Sequence, residues 1–288
     1  MQRSASRPSV FVSGRALVQP VCRTCMNSVL LAVAVTLLSS GAKAATGQDQ
    51  DVQLTGTFGV GYSNGGYGTN RNTDVQLSLT TLSLATDDLK FDVSMPYMRI
   101  SGRGLLVFDA AGNPEVINRR TTIIPDVRTG FGDLNFSATY SIPPAVLDDF
   151  EVKLTARIKA PTASERRRLS TGKADFGMSI DISREFGIWG PFVTVGYLVP
   201  GKPATYLLNN TVSISAGTSI ELSDNLVSIL SYDYDSESSP LVGSSKEMFG
   251  SLSWLVSKSI TLTGYGSAGL SSGSPDVGGG LLVSYGFN

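Results

Sequence analysis

Residues 150–159 read Phe-Glu-Val-Lys-Leu-Thr-Ala-Arg-Ile-Lys, and the alternation is unbroken. In an extended chain successive side chains point to opposite faces, so Phe150, Val152, Leu154, Ala156 and Ile158 share one face and Glu151, Lys153, Thr155, Arg157 and Lys159 the other. The preceding segment repeats the pattern, setting Leu134, Phe136, Ala138, Tyr140 and Ile142 against Asp133, Asn135, Ser137, Thr139 and Ser141. At the C-terminus Leu281, Val283, Tyr285 and Phe287 alternate with small, polar or neutral residues. Strands of about ten or eleven residues cross a bilayer when tilted, whereas strands of soluble sandwiches usually run about five or six.

Twelve such segments can be counted, at 52–62, 74–84, 89–97, 133–142, 150–159, 175–183, 193–199, 212–222, 226–234, 248–256, 260–270 and 277–287. The second is the least clean. Connections after the even segments are short (86–88, 143–149, 185–190, 223–225, 257–259), and those after the odd ones are mostly longer (64–73, 99–131, 161–173, 200–209, 235–245), with a brief sixth at 271–276. The expected fold is therefore all-β, a twelve-stranded antiparallel transmembrane β-barrel with short periplasmic turns and longer outer loops. Its apolar face then meets lipid and its polar face lines the lumen. Composition agrees: hydrophobic residues are 41% and charged residues 16%, below the roughly 25% of soluble domains, and no segment after residue 44 is apolar enough for a membrane helix.

Two regions are expected, a secretory signal at 1–44 and the barrel at 45–288. The first carries Arg3, Arg7, Arg15, Arg23 and Lys43 with no acidic residue, an apolar core at 29–38, and Ala42-Lys43-Ala44 as a small-residue cleavage site. Cys22 and Cys25 precede the core and leave with the signal, so the exported chain has neither cysteine nor histidine. It keeps 18 basic and 24 acidic residues, a net of −6, which gives no reason to expect a nucleic-acid partner.

Without histidine, Ser-His-Asp, Cys-His and His-metal chemistry is absent, and no catalytic residue, metal or cofactor is expected. Asp233 and Asp235 stand near a strand end and read as solvated rim carboxylates. Gly264-Tyr-Gly-Ser-Ala-Gly269 has nucleotide-fingerprint spacing but falls within a strand instead of between a strand and a helix. The candidate functional set is a ladder of lumen charges: Lys90, Asp92, Asp133, Glu151, Lys153, Arg157, Lys159, Asp175 and Asp181. Opposite charges on neighbouring strands brace the wall, and fixed charges in a pore also set the field a permeating solute crosses. A second basic cluster, Arg166, Arg167 and Arg168 with Lys173, lies in the third outer loop, where it is solvated or meets anionic lipopolysaccharide or solutes. Tyr62, Tyr97, Tyr140, Tyr197, Tyr232, Trp254 and Tyr285 are placed for aromatic girdles, with aromatic-ligand binding as the alternative.

Gly130-Phe-Gly132-Asp133-Leu134, Met95-Pro96-Tyr97, Lys159-Ala-Pro161-Thr162, and Ser170-Thr171-Gly172 leading to Ala174-Asp175-Phe176-Gly177 resemble motifs of the outer-membrane proteins described as the MetA-pathway of phenol degradation family. That resemblance implies transport, including of hydrophobic or aromatic compounds. Tyr285 and Phe287 are the expected closing signal read by the barrel-assembly machinery; the ending departs from the resemblance, because Asn288 follows where outer-membrane strands often finish on Phe or Trp itself, and recognition is expected to be slightly weakened. The expected role is passive passage of small solutes through an outer-membrane barrel, with outer-membrane lipid and lipopolysaccharide as surroundings. The competing expectation is a structural or surface-interaction barrel with a closed lumen. N-terminal sequencing of the protein from outer-membrane fractions should begin at Ala45; recovery of residues ahead of Met26 contradicts export by this signal.

Overall fold

A computed structural model describes residues 52–68, 72–102, 106–108, 114–116, 127–142, 147, 149–204 and 206–287. The signal segment, both cysteines and Asn288 lie outside them. The strands are β1 (Gln53–Gly65), β2 (Thr73–Ala85), β3 (Leu89–Ser101), β4 (Leu106–Phe108), β5 (Pro114–Val116), β6 (Val127–Phe131), β7 (Leu134–Ile142), β8 (Phe150–Ala160), β9 (Asp175–Arg184), β10 (Trp189–Val199), β11 (Thr211–Ser223), β12 (Leu226–Asp235), β13 (Ser245–Ser257), β14 (Ile260–Gly269) and β15 (Val277–Phe287). No helix among the described residues is long and apolar enough to cross a membrane.

Thirteen strands form one antiparallel sheet, and β4 with β5 forms a separate hairpin in the loop between β3 and β6. β6 and β7 share one position in the wall, since both pair with β3, so the barrel has twelve. The break between them faces Met95 and Pro96. Pro96 has no N–H to give the ladder, while its carbonyl accepts from the Gly132 N–H at 2.8 Å. The sheet closes where β1 meets β15, in register from Leu54 opposite Phe287 to Asn64 opposite Val277, and the β2–β3 pairing completes the ring. All twelve expected segments are present. Three differ in extent: β10 begins at Trp189 and β13 at Ser245, and the expected loop at 99–131 is shorter, because Arg99–Ser101 continue β3 and pair with Val127–Thr129 of β6.

Polarity is turned inside out relative to a soluble protein. Phe58, Val93, Ile158, Ile180, Val195 and Val283 are exposed on the outer surface, while Thr57, Ser179, Asp181, Thr194, Ser215 and Ser284 on the alternate positions are buried. A surface this apolar is stable only against hydrocarbon, so the barrel's solvent on the outside is lipid. The aromatic residues named above all lie on this exterior, with Tyr62, Tyr97, Tyr197 and Tyr232 towards the end with the long loops and Tyr140, Trp254 and Tyr285 towards the end with the short turns. Two edge-to-face ring pairs reinforce the bands, Tyr97 with Phe131 at 5.1 Å and Tyr285 with Phe287 at 5.0 Å.

β2 breaks the rule that apolar residues face lipid. Its outer half turns Val75, Leu77 and Leu79 into the lumen and presents Gln76, Ser78 and Thr80 to the outside; the phase recovers at Leu82 and Leu84, which face outward. The inward set packs within a lumen cluster, which gives these side chains the burial that lipid gives the others.

A folded barrel resists detergent, so unboiled samples should migrate differently from boiled ones on detergent gels and show strand-rich circular dichroism. Val195→Arg, halfway along β10 on the lipid face, should lower folding stability by about 2–4 kcal/mol in a denaturant titration in lipid vesicles.

Candidate functional site: the barrel lumen

Every residue of the expected charge ladder points inward. Lys90 and Asp92 lie on β3, Asp133 at the break before β7, Glu151, Lys153, Arg157 and Lys159 on β8, and Asp175 and Asp181 on β9, all buried or half-buried. Their partners are local. Lys90 pairs with Asp92 at 3.0 Å, and Asp92 also accepts from Ser83 and Ser137. Lys153 pairs with Glu151 at 2.8 Å; Asp181, opposite Lys153 in the β8–β9 register, accepts from the Thr194 hydroxyl. Arg157 is half-buried on the same face between them.

The tightest group sits at the outer ends of three strands. Lys159 Nζ is 2.6 Å from Asp175 Oδ2 and 3.6 Å from Asp133 Oδ2, and the three side chains are almost inaccessible. One buried cation between two carboxylates leaves acceptor capacity over, and neighbouring donors take it up. The Ser170 hydroxyl and the Ala163 N–H donate to Asp133, and the Gly201 N–H donates to Asp175. Thr162 Oγ1 accepts from the Leu134 N–H close by. Thus stretches far apart in sequence, Gly132-Asp133, Lys159-Ala-Pro-Thr162, Ser170-Thr-Gly172 and Asp175, converge on one junction.

The third outer loop, 161–174, is built around that junction. Ser164 caps a single 3₁₀ turn, Glu165–Arg167, and Arg168 in the left-handed region (φ 56°) reverses the chain so that Leu169, Ser170 and Thr171 drop into the lumen. Gly172 follows at φ 70°, a left-handed conformation that favours glycine. Gly130 leaves room for Leu169, whose Cδ1 would lie 2.8 Å from a Cβ at that position. In the expected basic cluster, Arg166, Arg167 and Lys173 are exposed, while Arg168 is half-buried. Arg167 Nη1 donates to the Thr129 carbonyl, and the Arg168 carbonyl accepts from Arg128 Nη1.

Sequence reasoning missed the apolar part of the lumen. Tyr67 from the first outer loop, Leu169 from the third and Val242 from the fifth join Val75, Leu77, Leu79, Met98, Ile100 and Leu282 in one buried cluster. A second cluster, Phe192, Ile229 and Phe249, continues around the wall, and Tyr265 packs against both. Burial pushes the Tyr67 hydroxyl well above the usual tyrosine range, and Ser63 shares its hydrogen bond. Elsewhere the lumen is lined by hydroxyl pairs across strands, such as Thr57 with Ser284 and Ser253 with Thr263, each at 2.9 Å. Asp233 and Asp235 are not rim residues: both are buried in the lumen beside Glu247, and Asp233 accepts from Ser215 and Ser231. Their place on the polar face of a strand longer than its alternation suggests was the available signal. Among the described residues no group of His, Cys, Asp or Glu is arranged to hold a metal ion, and the glycine-rich spacing at 264–269 lies inside β14.

No family model and no curated protein matches the sequence. Solved structures do match in fold. The COG4313 outer membrane channel from Pseudomonas putida F1 superposes with a TM-score of 0.64 over 85% of this chain and 100% of that one, at 11% identity. The NanC porin gives 0.51 over 81% and 99%, at 10% identity.

Because Lys159 is all that separates two buried carboxylates, Lys159→Met should destabilise the barrel by about 3–5 kcal/mol. Arg157→Gln should cost far less. Urea titrations in lipid vesicles compare the two directly.

Proposed function

We propose that the protein is an outer-membrane channel through which small solutes move passively, and that its lumen suits apolar solutes, aromatic ones included. The observation that carries the reading is the apolar strip inside a barrel whose exterior already faces lipid. Inward Leu77, Leu282, Tyr265, Phe249, Ile229 and Phe192 form linked patches from the loop end of the lumen towards the short-turn end. A wall built only for bracing or for ions has no reason to turn these groups away from lipid and gather them inside the lumen. The resemblance to the phenol-degradation family points the same way.

The charge ladder adds a second element of selectivity. Arg157, half-buried on the inward face of β8, adds its charge to the field a permeating solute crosses. Tyr285 and Phe287, outward on the closing strand, suit recognition by the assembly machinery, and the exposed Arg166, Arg167 and Lys173 suit contact with lipopolysaccharide phosphates.

Two measurements test the reading. Intact cells carrying the protein should take up N-phenylnaphthylamine, a fluorescent aromatic amine held back by lipopolysaccharide, faster than cells lacking it. Phe249→Ser with Ile229→Ser should remove most of that gain while leaving the heat-dependent gel shift in place. In planar bilayers Arg157→Gln should move the reversal potential towards cation preference. Uptake equal with and without the protein, together with no conductance, contradicts a channel and favours the closed-lumen surface barrel.

A further inference from the structure

Three loop residues fill the outer mouth, and they are not held alike. Tyr67 sits two residues beyond the end of β1, with its hydroxyl on Ser63 of that strand and the next N–H, Gly68, on the Ser272 carbonyl. Val242 closes a tight bridge with Ser239. Leu169 is different. It stands at the centre of a fourteen-residue excursion, 161–174, that pairs with no strand among the described residues, and its loop turns on Pro161 at one end and Gly172 at the other. Its attachments include the two hydrogen bonds to Asp133, the Leu134 N–H on Thr162 Oγ1, the contacts with Arg128 and Thr129 on β6, and the insertion of Leu169, with Ala163 packed against the same cluster.

We propose that segment 161–174 is a lid over the outer mouth, with Leu169 as its stopper and the Ser170–Asp133 contact as its latch. Lys159, itself paired with Asp175, holds the Asp133 carboxylate in place, so the latch is a hydrogen bond to a fixed, paired carboxylate and is open to rupture without breaking any strand. Withdrawal of Leu169 frees the surface of Met98 and Ile100 beneath it and joins the mouth to the apolar strip. The inference rests on the channel reading and adds its gate: at rest the lumen is shut by a loop, and passage requires the lid to lift.

The chain from Ala45 onward contains no cysteine, so a bridge can be placed without background. A Gly130→Cys, Leu169→Cys pair puts thiols on two positions that lie against each other, since a Cβ at Gly130 would stand 2.8 Å from Leu169 Cδ1. With the bridge oxidised, and folding verified by the gel shift, N-phenylnaphthylamine uptake and KCl conductance should fall to the level of protein-free controls; reductant should restore both. Ser170→Ala, which keeps every strand contact, should raise open probability about tenfold or more, as expected for losing a hydrogen bond to a charged group. Uptake and conductance unchanged by the oxidised bridge, or an open probability unmoved by Ser170→Ala, overturns the lid while leaving the channel intact. A protein that passes neither probe in any state overturns the channel reading, and the lid with it.

Discussion

Hydrocarbon offers a backbone N–H or C=O no partner, so a sheet can stand in a membrane only if its last strand returns to its first. The β1–β15 pairing is that return, and the rest of the architecture depends on it. Once the sheet is closed, each strand has one face towards lipid and one towards an enclosed space, and alternation becomes a division between two solvents. The exposed Val, Ile and Phe residues, the aromatic bands and the buried serines and threonines follow from that single constraint.

Closure also creates the problem that the lumen solves. A twelve-position ring encloses more space than one layer of Ser and Thr side chains fills, and whatever enters it sets what the barrel admits. Here two materials enter. Charged side chains on β3, β8 and β9, with Asp133 at the break before β7, pair with one another and with hydroxyls, which stiffens that side of the wall, while Asp181 Oδ1 stands without a hydrogen-bond partner among the described residues. Apolar side chains from β2, β3, β10 and β12–β15 line the other side and meet three loop residues at the mouth. The lumen therefore carries charged stretches, hydroxyls and apolar patches side by side, with the Asp233, Asp235 and Glu247 carboxylates on strands that also supply apolar groups.

Most of the fold was legible in the sequence because lipid-facing alternation is strict: all twelve segments were placed, and the charge ladder was assigned to the inward face from the phase of each of its four segments. The parts that escaped share one cause. On β2, apolar residues occupy both faces, Val75, Leu77 and Leu79 inward and Leu82 and Leu84 outward, and period-two counting cannot tell which solvent each set meets. Residues 127–131 alternate too weakly and follow too long a loop to read as half of a strand, and the break at Gly132-Asp133 hides the other half. Leu169, Tyr67 and Val242 are single apolar residues in polar loops, and nothing local marks them as pointing inward. The motifs around Asp133, Lys159, Ser170 and Asp175 were visible as text, but only the fold shows that they meet at one point.

The claim that carries most weight is that β2 turns its outer half inside out, since the apolar outer end of the lumen rests on it. Tryptophan fluorescence in vesicles of brominated lipid tests it most directly. In a Trp189→Phe, Trp254→Phe background, a single tryptophan at Ser78 should be strongly quenched by bromine and one at Leu77 should not. Quenching at Leu77 with protection at Ser78 would put Val75, Leu77 and Leu79 in lipid, remove the outer end of the apolar strip, and contradict the account.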